Sequence, residues 1–190
     1  MAAGRLTPAS RDFNEVQRIE PVGEIREIPD RRPLMAFSHP VDDRYFEDYV
    51  EGDVHAFGSI AVEADEIIAF ARRFDPQRFH TDPEAAKQTP FGGLIASGWH
   101  TAGLMMRLYA EHYLTHVASL ASPGLDELRW VKPVRPGDRL SVRVTVLKAT
   151  PSKSKPDRGA VTSFVEVFNQ AEEVVMTLKC VNMIARRQQS

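Results

Sequence analysis

The chain has 190 residues, 43% of them hydrophobic, which is enough apolar surface for the core of one domain with a tail. Its 24 basic and 26 acidic residues leave a formal charge of −2, which argues against a nucleic-acid or membrane-surface protein. Cys180 is the one cysteine, so no intrachain disulfide can form and no Cys/His cluster has metal-site spacing; no metal is expected, and a reducing cytoplasm fits.

Residues 1 to about 40 mix Arg, Glu, Pro and Ser with scattered apolar residues and hold no sustained period, which predicts a loosely draped arm ahead of a single domain over 41–190. Met35 is an alternative natural start. The first stretch lacks an apolar signal region and carries Asp12, Glu15 and Glu20, against secretory or organellar targeting. Gly52-Asp53 then turns the chain into a strand over 55–62. Residues 63–74 read as an amphipathic helix: Ile67, Ile68, Phe70, Ala71 and Phe74 share one side, with Asp65 and Glu66 early and Arg72 and Arg73 late, as the helix dipole favours.

Asp82-Pro83-Glu84-Ala85-Ala86-Lys87 carries an N-cap, a first-turn proline and an acid–base pair, the marks of a helix of one to two turns. Phe91-Gly92-Gly93 turns tightly into a helix expected over 94–116. Its first half is apolar nearly all round, so something must wrap it. Residues 88–106 carry no formal charge, but Pro90, Gly92, Gly93, Gly98 and His100 interrupt them, which favours a buried helix over a membrane span. His100 is expected as a hydrogen-bonded core residue or a pocket wall.

The remainder reads as β: a strand over 125–130, a clean alternation over 140–147, a mobile connection over 151–159, and a final hairpin with strands over 160–169 and 173–184. Cys180 falls in the last strand pattern, where a buried, inert thiol is expected. A curled antiparallel sheet around one apolar helix satisfies both patterns, because each covers the other. The fold class is therefore α+β.

Between the 63–74 helix and the glycine pair lies Asp75-Pro76-Gln77-Arg78-Phe79-His80. Pro76 fixes its own φ and disfavours helix at Asp75, so the preceding helix ends there and the loop must turn. Two readings stand on the residues alone. Asp75 and His80 form an acid–base pair beside a helix N-terminus, or Asp75 turns the chain and His80 packs beneath it.

The pattern Asp75-x-Gln77-x-x-His80-x-Asp82, followed by Phe91-Gly92-Gly93-x-Ile95-Ala96-x-Gly98, resembles the hydratase motif of MaoC-like dehydratases, the family of R-specific enoyl-CoA hydratases. Downstream, Leu128-Arg129-Trp130-Val131-Lys132-Pro133-Val134-Arg135-Pro136-Gly137-Asp138 resembles the strand and turn that follow the family's long helix. The likeness spans about 43–184. The chain departs from the usual Asp-x-Asn-Pro-x-His loop in having Gln77 for Asn and Arg78 for Pro.

The resemblance implies a hot-dog fold, an antiparallel sheet wrapped around a long central helix, assembled as a homodimer or higher homo-oligomer. It implies reversible hydration of a trans-2-enoyl-CoA thioester to the R-3-hydroxyacyl thioester, with the CoA ester as substrate and no separate cofactor. In that scheme Asp75 and His80 activate a water, Gln77 orients Asp75 or the water, and Gly98 offers its backbone N–H to the thioester oxygen. Asp82 is better explained as a helix cap. Two rivals share the fold: an acyl-CoA thioesterase using Asp75 against the thioester carbonyl, and a non-catalytic acyl-thioester binding module.

Overall fold

A computed structural model describes residues 33–188. Five strands, β1 (Val54–Ala61), β2 (Ser119–Trp130), β3 (Arg139–Pro151), β4 (Arg158–Phe168) and β5 (Val174–Ala185), form one antiparallel sheet in the order β1-β3-β4-β5-β2. Four helices lie between β1 and β2: α1 (Ala64–Phe74), α2 (Arg78–Thr81), α3 (Pro83–Lys87) and α4 (Gly98–His112). The sheet curls around α4, the α+β hot-dog arrangement that the patterns require.

The strand alternation explains why the sheet has an inside. Leu140, Val142, Val144 and Val146 of β3, Val161 and Val165 of β4, and Met176, Leu178 and Ile184 of β5 are fully buried or nearly so. They meet Leu104, Met105, Leu108 and Tyr109 of α4 in one core. Each such side chain contributes roughly 1.5–3 kcal/mol by leaving water.

Several boundaries differ from the sequence reading. The central helix starts at Gly98 rather than 94, because Leu94, Ile95 and Ala96 are buried in a run that is neither helix nor strand. Ala96 N–H donates to Val134 O at 2.8 Å, and Ile95 N–H to Phe79 O at 3.2 Å. A short apolar run reads alike whether it is buried extended or helical.

The helix also ends at His112 rather than 116. The buried Arg44 guanidinium donates to the carbonyls of His112 and Tyr113 at 3.0 and 2.8 Å, closing its C-terminus with a cation. Another difference is β2, which begins at Ser119 rather than 125: this edge strand takes in Pro123 and Gly124 in an interrupted register.

Of the expected arm, residues 33–40 lie on the domain. Met35 N–H donates to Val54 O at 2.8 Å, and the Phe37 ring stacks on His55 at 3.7 Å with Arg44 3.4 Å from its centroid. The boundary expected near 40 therefore moves back to Met35 or earlier; the rest of the arm falls outside the described residues. The connection expected over 151–159 is also shorter, since β3 runs to Pro151 and β4 begins at Arg158.

Candidate active site

α1 ends because Pro76 cannot continue it, and its last backbone bond, Asp75 N–H to Ala71 O at 2.9 Å, leaves Asp75 as the C-cap. The chain then reverses. Gln77 N–H donates to Asp75 O at 2.7 Å, and one turn of helix, α2, carries His80 back toward Asp75. The five-residue separation thus closes to 3.4 Å between His80 Nε2 and Asp75 Oδ2.

The His80 ring is oriented by its other nitrogen. Nδ1 lies 2.8 Å from Ile95 O, and a carbonyl only accepts, so Nδ1 carries the proton. Nε2 of the neutral ring is then a lone pair facing the carboxylate. Two acceptors at 3.4 Å do not bond each other, and both are free to hold one water or hydroxyl. The His80 side chain is 6% exposed and that of Asp75 20%, so the pair opens to its surroundings mainly through the acid.

The Asp75 carboxylate is held on both oxygens. Gln77 Nε2 donates to Oδ1 at 2.8 Å, and Ser97 Oγ donates to Oδ2 at 2.7 Å. Burial pushes the carboxyl pKa up, but the hydrogen bonds from Ser97 and then Gln77 outweigh it and hold the group below its ordinary value. Asp75 is therefore an anion at neutral pH.

Ser97 is the residue that sequence reasoning missed. Fully buried, it is the N-cap of α4: its Oγ accepts from Trp99 N–H at 3.3 Å while donating to Asp75. A serine ahead of a helix is a cap signal, hidden here because the apolar run before it was read as helix. Gly98 follows as the first helical residue, and its N–H has no acceptor among the described residues, as expected of the first turn. Gly98 is also required by packing, since a Cβ built on it would fall inside the Trp130 indole.

Asp75, Gln77 and His80 are thus brought together, with Gly98 one residue beyond the serine that touches the acid. The remaining candidates separate from this group. Asp82 caps α3, accepting from Glu84 N–H and Ala85 N–H at 3.0 Å. His100 is buried against Phe70 with Nδ1 unpartnered, so of the two expectations, a hydrogen-bonded core residue or a pocket wall, the first does not hold at Nδ1. Cys180 is buried against the Tyr109 hydroxyl, and burial pushes its thiol up, as suits an inert side chain.

The family model for the MaoC-like domain matches residues 46–167. The crystal structure of a MaoC-like dehydratase from Rhodospirillum rubrum superposes with a TM-score of 0.71 at 45% identity, covering 77% of this chain and 99% of that one. An uncharacterised protein of Bacillus subtilis, YdeM, is 32% identical over 126 residues, 66% of this chain and 88% of its own length. The 3-hydroxyacyl-thioester dehydratase Z of Mycobacterium tuberculosis is 29% identical over 128 residues, 66% of this chain and 85% of its own length.

Proposed function

Because the chain belongs to the MaoC-like domain family, whose members include hydratases and dehydratases, we propose that it adds water reversibly to a trans-2-enoyl thioester, the CoA ester, giving the R-3-hydroxyacyl thioester. The observation that carries this reading is the 3.4 Å approach of a carboxylate and an imidazole lone pair, each fixed from behind by a group that takes no part in the chemistry.

A water bridging Asp75 Oδ2 and His80 Nε2 gives a proton to Nε2 as its oxygen bonds the β-carbon. The C=C electrons move onto the thioester as an enolate. The protonated pair returns a proton to the α-carbon, so one water is consumed and both side chains end as they began. The enolate oxygen needs donors, and Gly98 N–H at the head of α4 supplies one, reinforced by the helix dipole. Gln77 keeps Asp75 in register. The proton transfers call for no metal or redox cofactor.

A second copy of the chain completes the assembly. Among the described residues β2 is bonded to β5 alone, and Leu120 and Leu125 lie exposed along it, an edge that a partner strand would cover. A homodimer with the acyl thioester bound near the subunit boundary follows.

The test is loss of the conjugated-thioester absorbance of crotonyl-CoA. Asp75→Asn and His80→Gln should fold and dimerise as the unaltered protein does yet lose at least about a hundredfold in rate, as removal of a general acid–base group does. Full activity in either variant would end the assignment.

A further inference from the structure

We propose that Trp130 is a second donor to the enolate oxygen, its indole Nε1–H acting beside the Gly98 amide. This rests on the hydratase reading and adds to it a residue from the edge strand rather than the catalytic loop.

Trp130 closes β2, and its ring lies on the first residue of α4. A Cβ built on Gly98 would stand 2.5 Å from Trp130 Nε1. One further bond of about 1.5 Å places Nε1 no more than about 4 Å from the Gly98 Cα, and a second puts it within about 5.5 Å of the Gly98 nitrogen. Two donors that each sit about 2.7–3.1 Å from one oxygen stand at most roughly 6 Å apart. The pair meets that limit.

The ring is also fixed and its donor unused. Trp99 meets it edge-on, with centroids 5.4 Å apart and planes at 77°. No described residue accepts from Nε1–H, and the residue is exposed enough for this donor to do without a protein partner. The side chain stays 47% exposed, so a ligand can reach it. The contact also explains why position 98 is glycine: any side chain there would push the indole off the amide it accompanies.

The experiment uses the full chain with Trp130→Phe, which keeps an aromatic plate and removes the N–H. As a second probe, benzothienylalanine placed at 130 alone replaces N–H by sulfur with the shape kept. Rates are measured on crotonyl-CoA, and carbonyl polarisation is read from the red shift of the enoyl-thioester band on binding to Asp75→Asn protein. Both replacements should lower kcat about a hundredfold, the usual effect of deleting one such donor, with KM within about threefold, and should shrink the red shift. Their melting temperature and oligomeric state should match the unaltered protein. A kcat within about threefold of the unaltered enzyme, or a change confined to KM, would overturn the donor role and leave the hydratase reading standing. Absence of hydration by the unaltered protein would overturn both.

Discussion

Replacing Ser97 by alanine removes two bonds with one oxygen: the 2.7 Å donation to Asp75 and the 3.3 Å acceptance from Trp99 N–H. Loss of an N-cap serine costs about 1 kcal/mol. Loss of a hydrogen bond to a charged group costs about 1.5–3 kcal/mol, taken near the low end because the 20% exposure of Asp75 lets water replace part of it. About 2–3 kcal/mol in all corresponds to a melting temperature lower by roughly 4–12 °C for a domain of this size.

The same change alters the pH profile in a definite direction. Asp75 is held below its ordinary pKa in large part by Ser97, so the carboxylate is present above that lowered value and lost as pH falls through it. Without the serine the carboxyl pKa rises, and the acid limb of kcat/KM for crotonyl-CoA hydration moves to higher pH. Calorimetry and a pH–rate series over about pH 4–8 read both effects. Melting within 1 °C of the unaltered protein, about 0.3 kcal/mol here, together with an unmoved acid limb, would refute the assignment of Ser97 as the residue that positions Asp75.

Gly98→Ala should destabilise the fold by about 1–3 kcal/mol through overpacking against Trp130, and by much less in a Trp130→Ala background; equal losses in both would remove the proposed contact. His55 and His100 are held below 6.5 by burial, so each is neutral in the fold and contributes stability that is present above 6.5 and lost as pH falls below it. His100→Phe should therefore flatten the fall in melting temperature between about pH 6.5 and 5, and an unchanged slope would count against a buried neutral imidazole. Leu125→Asp should convert the dimer to monomer in light scattering, and a dimer that persists would move the interface away from β2. Incubation with a saturated acyl-CoA should release no free thiol; steady release would favour a thioesterase.

How much of this was legible depended on whether neighbours in sequence or neighbours in space decide the outcome. The β3 alternation carries its own period, so its inner face could be assigned residue by residue; in α1 the period placed Ile67 and Ala71 correctly in the core, but Phe74, expected on the same side, is 60% exposed at the last residue of the helix. Pro76 forces a bend between Asp75 and His80, but the residues alone left a pair and a mere turn equally open; the family resemblance paired them, and the single turn of α2 that brings them together shows no period of its own. The head of α4 was misread because Leu94, Ile95 and Ala96 are buried by β-like bonds to Phe79 and Val134, partners far along the chain. That misreading hid Ser97. The docking of residues 35–37 was illegible for a similar reason: Phe37 gains its place from His55 and Arg44, and nothing in its own segment announces a packed site.

The proton on His80 Nδ1 is dictated by the oxygen of a peptide group, that of residue 95. A peptide oxygen persists through every replacement of the side chain it belongs to. Position 95 is consequently at liberty to drift among greasy residues of similar bulk while the base keeps its tautomer. The reactive nitrogen is secured by the one kind of atom that point mutation cannot delete.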